Sequence, residues 1–324
     1  MSNAVAHSEP VSQINPPVVA IVGATGTGKS DLALDLATKL IGQGQPAEIV
    51  NADAMQLYRG MNIGTAKVPE TERRGIPHHL FDVWDVTVEA SVAGYQTMAR
   101  SVILDIQRRG AIPLLVGGSG LYVSAVVYEF DFPGTDKDVR AILEKRLETE
   151  GIEALQAELA RKDPLAAAAI DPRNTRRVIR ALEVITLTGK PFGAGLDAEQ
   201  RPWQDNLLIV GLEVPRDELV TRLDNRVNTM WEAGLVDEVK GLIPAGIESG
   251  VTASRAIGYQ QVLAYLSGTL SKEQALEETQ GLTRRYARRQ VSWFRRNTDT
   301  VWLDPRDPEC LAKAFQLVTQ RQAP

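Results

Sequence analysis

The segment Gly23-Ala24-Thr25-Gly26-Thr27-Gly28-Lys29-Ser30 has the residue types and spacing to hold a chain of phosphates. It fits the pattern G-x-x-x-x-G-K-[ST], between an apolar run, Val18 to Val22, and a helical stretch reaching about Leu40. Glycines permit a tight turn with backbone N–H groups pointing inward, and the helix behind adds the positive end of its dipole. Lys29 offers a point charge to the outer phosphate, and the Ser30 hydroxyl can hold Mg2+. An accidental Gly-rich turn is the alternative, and the strand-to-helix setting speaks against it.

Nucleotide-hydrolysing proteins built on such a loop usually show a second apolar strand ending in Asp. Here the strand from Ile112 runs into Gly117-Gly118-Ser119, and the run from Leu207 into Gly211-Leu212-Glu213. The nearest strand-end acid is Asp53, after Ile49-Val50-Asn51-Ala52. Two chemistries fit: a small-molecule kinase, or an enzyme that holds a diphosphate without hydrolysing a nucleotide.

Short apolar runs alternating with amphipathic helices predict an α/β fold with a largely parallel sheet. Strands are expected at Val18 to Val22, Glu48 to Asn51, Ile112 to Val116, Leu207 to Val214 and Thr300 to Leu303. A helix is expected from Ser91 to Arg109, stopped by Gly110. From Asp136 to Gln200 the chain is charged and helix-forming, without strand signals, and Gly189 to Pro202 reads as a loop. The resulting plan is a P-loop NTPase-like core with a helical insertion domain. It has a disordered tail over 1–16, core over 17–134, insertion over 135–203, core again over 204–306, and a C-terminal tail over 307–324.

The chain has 324 residues, 44% of them hydrophobic, with a formal net charge of −5. That is ordinary globular composition, and it argues against a uniformly basic nucleic-acid coat. No run of 18 apolar residues stands out to span a membrane. Residues 1–17 lack the basic start and apolar centre of a secretion signal, so a cytoplasmic protein is expected. The single cysteine, Cys310, and three histidines leave no disulfide framework and make a zinc enzyme a poor fit.

The global charge hides a local one. Gly281 to Arg296 carries Arg284, Arg285, Arg288, Arg289, Arg295 and Arg296 without an acid, a local charge of +6. Helical spacing puts Arg284 with Arg288 and Arg285 with Arg289, among Tyr286, Trp293 and Phe294 that can pack inward or stack on bases. Arg173, Arg176, Arg177 and Arg180 make a second basic run, closing the insertion. Either run can be an ordinary charged helix or an RNA-phosphate surface. Arg222 and Arg226, four apart, share a helical face; one of them closes over the phosphates, or both pair with Asp224 and Glu218. His78 and His79 are adjacent and point apart, so packing and hydrogen bonding suit them better than a metal.

Asn51-Ala-Asp53-Ala54-Met55-Gln56-Leu-Tyr58-Arg-Gly60, continuing to Gly64-Thr-Ala-Lys67, is not a kinase pattern. With the phosphate loop it resembles the tRNA dimethylallyltransferases, also called isopentenyltransferases. Further matches follow in that family's order: Pro77-His-His-Leu80, Gly117-Gly-Ser-Gly-Leu-Tyr122, Arg177-Val-Ile-Arg180-Ala-Leu-Glu183, Arg255-Ala-Ile-Gly-Tyr259-Gln, and Arg284 to Gln290 with Trp293-Phe-Arg295. The resemblance covers roughly Val18 to Asp304. One departure is Ser119, where the family usually has Thr; the hydroxyl is kept.

The resemblance implies transfer of a dimethylallyl group from dimethylallyl diphosphate to N6 of the adenosine 3′ of the anticodon, in tRNAs reading codons that begin with U. Mg2+ assists, diphosphate leaves, and the phosphate loop (Gly23 to Ser30, with Lys29) grips the leaving group. Asp53 is then the base that takes the amine proton; read alone it could be a turn or cap residue. Ser119 hydrogen-bonds near the reacting amine, and Gln56 suits an adenine edge. Asp53, Ala54, Met55, Gln56, Ser119, Arg140, Arg176, Arg177 and Arg180, with Arg284, Arg285, Arg288 and Arg289, are expected to meet the anticodon stem-loop. A monomer is expected. The rivals are prenylation of a free adenine nucleotide, an ATP-dependent small-molecule kinase, and an RNA-binding module without catalysis.

Overall fold

The computed structural model describes residues 15–130, 132–192 and 201–322. Most of the expected N-terminal tail and part of the 189–202 loop lie outside these residues. The chain divides into two compact units, one of residues up to 127 together with those from 204 onward, the other of residues 128–203.

The first unit is built on a sheet of β1 (Val18–Gly23), β2 (Ala47–Asn51), β3 (His78–His79), β4 (Ile112–Gly117), β5 (Leu207–Leu212) and β6 (Thr300–Leu303). All pairs are parallel, in the order β3-β2-β4-β1-β5-β6. Strand β1 is central and buried throughout, with Ile21 in register with Val116 on one side and Val210 on the other. Its unbroken apolar run is what a strand covered on both faces requires.

Helix α1 (Lys29–Gly42) follows β1 and buries Leu32, Leu36 and Leu40 with Ala33 and Ala37, a stripe of helical period. Helix α2 (Val92–Arg108) starts where the Ser91 hydroxyl accepts the Gly94 N–H, and α3 (Gly120–Val127) follows β4. In the second unit, α4 (Lys137–Lys162), α5 (Pro164–Ala169) and α6 (Thr175–Thr188) pack around Leu143, Leu155, Leu159 and Leu182. Helix α4 breaks at Gly151, whose φ of 81° no helix contains.

The first unit resumes with β5 and then α7 (Arg216–Glu232), α8 (Leu235–Leu242), α9 (Tyr259–Leu266) and α10 (Lys272–Phe294). These gather a second core in which Trp231, Leu235, Val239, Tyr259 and Val262 pack with Tyr58 and Met61 from the loop after β2. Among the described residues no helix is long and apolar enough to cross a membrane.

One expectation is corrected. Within the supposed tail over 307–324, Cys310–Gln320 forms helix α11. Cys310, Ala314 and Val318, at four-residue spacing, bury themselves in the main core beside α1, and Lys39 of α1 sits 4.8 Å over the Phe315 ring. Strand β3 and helix α3 are additions to the expected elements. The first is only two residues long, and the second runs straight on from a Gly-rich turn.

Candidate active site

A cavity of about 490 Å3 opens at the carboxyl ends of the parallel strands, where α/β sheets bind ligands. Its floor is the loop between β1 and α1. Gly28 has a φ of 86°, a left-handed conformation that turns the chain into α1 and exposes the helix's first N–H groups. Thr25, Gly26, Gly28, Lys29 and Ser30 line the cavity. Gly23, Ala24 and Thr27 are not part of the lining; the Thr27 hydroxyl donates to the Ala24 carbonyl at 2.9 Å, and Lys29 Nζ donates to the same oxygen at 2.6 Å. Burial holds the Lys29 ammonium down to about 8; the Asp53 charge opposes this and Arg226 adds to it.

Asp53 stands just past β2, and Asn51 sets its backbone. The Asn51 side-chain oxygen accepts the Asp53 N–H at 2.9 Å, and its amide donates to the Asp53 and Leu80 carbonyls. The Tyr95 hydroxyl donates to the Asn51 carbonyl at 2.7 Å. Asp53 Oδ1 accepts the Met55 N–H at 2.9 Å, so this carboxylate makes a turn and also lines the cavity. The turn reading of Asp53 is met by the Met55 contact, and its place on the cavity wall leaves the carboxylate facing the same space as the phosphate loop. Its charge reaches Tyr286, whose phenol is pushed up to about 12, by burial first and then by Asp53.

Gly117 and Gly118 line the opposite wall, and Ser119, the next residue, is not part of the lining. A Cβ on Gly117 would lie 2.2 Å from the Ala52 carbonyl oxygen, so only glycine lets β4 approach the Asp53 turn this closely. The Ser119 hydroxyl is buried, accepts the Ala54 N–H at 3.1 Å and lies 3.5 Å from the Tyr286 hydroxyl. Gln290 of α10, buried and on the cavity wall, accepts the Thr25 N–H and donates to the Gly118 carbonyl. It was not singled out from the sequence. Its one signal there is its place four residues after Tyr286 on the helix.

Gln56 lines the cavity with its amide donating to the Thr65 carbonyl at 3.0 Å and the Ala66 carbonyl at 3.4 Å. Beside it Lys67, also missed, is buried and donates to Asp82 Oδ1 at 2.6 Å and the Tyr58 carbonyl at 2.9 Å. Burial lowers its pKa against the pull of Asp82. Ala66, Leu80 and Asp82 take positive φ, so the two loops meeting here are held in conformations that non-glycine residues seldom adopt.

Arg222 and Arg226 both line the cavity but differ in company. Arg222 is exposed and donates to Glu218 at 2.6 Å. Arg226 is more deeply placed; burial lowers its pKa, while Asp53 and Asp31 pull the other way. The histidines do as expected: His79 is hydrogen-bonded to Glu48 at 2.6 Å, and His78 to the Ile76 carbonyl while stacking on Phe81.

The arginines of α10 divide among neighbours. Arg284, Arg285 and Arg288 line a separate groove of about 980 Å3 between α7, α10 and β6, and Arg284 pairs with Asp224 at 2.6 Å. Arg289 lies 5.9 Å from the Tyr286 ring centre, outside that groove's wall. In the second unit, the buried Glu183 accepts from Arg140 at 3.2 Å and Arg180 at 2.8 Å, and Arg180 also donates to the Pro133 and Gly134 carbonyls. Arg176 and Arg177 are exposed at the start of α6.

Sheet order, phosphate loop and strand-end carboxylate together define a P-loop NTPase-like α/β protein. Residues 56–297 match the family model for IPP transferases, and the chain belongs to that family. It is 59% identical to a tRNA dimethylallyltransferase of Clavibacter sepedonicus, over 92% of this chain and 97% of that one. With a tRNA dimethylallyltransferase of Thermobifida fusca the identity is 55%, over 94% of each chain. Its fold is similar to a crystal structure of the tRNA isopentenylpyrophosphate transferase of Bacillus halodurans, with a TM-score of 0.68, 39% identity, and coverage of 94% and 96%. It is also similar to a eukaryotic dimethylallyltransferase caught acting on tRNA, with a TM-score of 0.75, 30% identity, and coverage of 94% and 77%.

Proposed function

We propose that the chain transfers a dimethylallyl group from dimethylallyl diphosphate to N6 of the adenosine 3′ of the anticodon, in tRNAs reading codons that begin with U. The observation that carries this reading is the cavity itself. A phosphate loop with Lys29 and Arg226 faces a carboxylate, Asp53, within electrostatic reach of both.

The exocyclic amine of adenine is a weak nucleophile, because its lone pair is delocalised into the ring. Its attack on the allylic carbon forms the C–N bond while the bond from that carbon to the diphosphate oxygen breaks. The proton leaves N6 for the Asp53 carboxylate, a contribution of about 10²–10⁴-fold for a positioned base. The N–H groups from Gly26 to Gly28, with Lys29, take up the charge gathering on the departing diphosphate, and Arg226 closes over it. The Ser119 hydroxyl orients the amine, and the base enters by leaving its stack.

Ser30 and Asp31 give the cavity oxygen donors of the kind Mg2+ takes together with phosphate oxygens and water. Bound there, Mg2+ would offset phosphate charge. Arg176 and Arg177 on the second unit, and the arginines of α10 on the first, supply phosphate contacts along the anticodon stem-loop. The chain works as a monomer in the cytosol.

The test is a transfer assay with labelled dimethylallyl diphosphate and Mg2+, offering an unmodified tRNA with adenosine 3′ of its anticodon, or AMP. Label is expected in the tRNA alone. Label in AMP would move the protein to the free-nucleotide reaction, and no label in either would discard the prenyl reading.

A further inference from the structure

Glu238, on α8, does not line the cavity, yet its carboxylate gathers four donors. Oε2 accepts the N–H groups of Asn62 at 3.1 Å and Ile63 at 2.7 Å. Oε1 accepts the Gly64 N–H at 3.3 Å and the Tyr259 hydroxyl at 2.5 Å. Three successive backbone N–H groups turned toward one carboxylate form an anion-binding concavity, filled here by the protein's own side chain. The loop lies flush on its support: a Cβ on Gly64 would fall 2.5 Å from the Tyr259 ring.

What this loop holds is the cavity wall. The carbonyls of Thr65 and Ala66, the next two residues, both receive the Gln56 amide. With its amide nitrogen committed to them, Gln56 offers its carbonyl oxygen, an acceptor suited to the amino edge of adenine and opposed to the carbonyl edge of guanine. Glu238 therefore stands at the far end of a short relay: carboxylate, three backbone N–H groups, two backbone carbonyls, and the Gln56 amide on the cavity wall.

We propose that Glu238 is a positioning residue for the substrate base, acting through the 62–66 loop to fix the orientation of the Gln56 amide. This inference rests on the reading of the cavity as a prenyl-transfer site on adenosine. A carboxylate that only stabilised the fold would affect both substrates alike. A positioning carboxylate affects the one Gln56 touches.

The experiment is a double-mutant cycle on the full chain, measuring kcat and KM separately for tRNA and for dimethylallyl diphosphate. E238A is expected to lower kcat/KM for tRNA by up to about 10²-fold, the scale of an ångström misplacement, and to leave KM for dimethylallyl diphosphate unchanged. Q56A should do the same, and the double variant should be no worse than Q56A alone. If E238A does not fold, E238Q keeps the volume and one acceptor oxygen and carries the same cycle. Additive losses, or a parallel rise of both KM values, would overturn the positioning role while transfer by the unaltered chain still upheld the proposed function. An unaltered chain that transfers nothing would overturn both.

Discussion

Thr25 and Gln290 are 265 positions apart in sequence, and the Thr25 N–H donates to the Gln290 side-chain oxygen at 2.9 Å. The same amide donates to the Gly118 carbonyl at 2.7 Å, so one residue of α10 joins the loops after β1 and β4. Truncation by Gln290→Ala leaves the buried Gly118 carbonyl unpaired, costing about 1–3 kcal/mol, and frees the part-buried Thr25 N–H. A lower melting temperature and a higher KM for dimethylallyl diphosphate are expected. Gln290→Glu can still accept from Thr25 but turns an oxygen toward the Gly118 carbonyl, so it should be no better. A variant with native melting and native KM would refute the clamp.

Asp53→Asn preserves the Oδ1 that accepts from Met55 and removes the basicity. The turn should stay intact while kcat falls about 10²–10⁴-fold, the range for a positioned base. Single-turnover transfer together with equilibrium tRNA binding separates the two: the rate should drop with binding nearly unchanged. A near-native rate would assign Asp53 to the turn alone.

Arg226 and Arg222 give a paired comparison. Losing Arg226 should raise KM for dimethylallyl diphosphate by about 10–100-fold, the weight of one charge-assisted hydrogen bond. Arg222 already has Glu218, and Arg222→Ala should change KM little. Steady-state kinetics on both variants decide it, and the reverse ranking would move the closing role to Arg222.

The Lys29 ammonium, held down to about 8 by burial, sets a pH dependence of definite sign. In the free protein it loses its charge as pH rises through about 8, so kcat/KM for dimethylallyl diphosphate should fall above that value. Stability moves the other way. Between about 8 and the ordinary 10.5 the unfolded chain binds more protons than the folded one, so this group makes unfolding harder as pH rises. Urea titrations of the native chain and Lys29→Met across this window should differ in slope, and equal slopes would contradict the depressed value.

The sequence makes β1, β4 and β6 legible because each is a short apolar run between clear breaks, and the phosphate loop because its spacing is mechanical. Asp53 is findable as a strand-end acid. Gln290, Lys67 and Glu238 are not, because each acts through a partner on another element: Thr25, Asp82 and the loop around Ile63. The arginines of α10 show the limit of counting charges. Their spacing pairs Arg284 with Arg288 and Arg285 with Arg289, whereas Arg285 lines one groove with Arg284 and Arg288, and Arg289 lies against Tyr286. Helix α11 carries a legible signal that the tail expectation passes over: Cys310, Ala314 and Val318, with Leu311 and Phe315 beside them, recur at helical spacing.

The residues that open and close the second unit lie side by side. Tyr128 pairs antiparallel with Pro202, and the Glu129 N–H donates to the Arg201 carbonyl at 2.9 Å. Loop-closure entropy grows with the length of free chain between two fixed ends. Once the helical unit folds, that length is no longer free, and the rest of the chain sees a doorway one strand-pair wide. The parallel sheet thus tolerates a whole helical unit between α3 and β5 at nearly the entropic cost of a hairpin. A chain with residues 130–200 replaced by a short Gly-Ser bridge should still fold cooperatively around β1, β4 and β5, as calorimetry would register; a chain that melts without a transition would show that the doorway alone does not suffice.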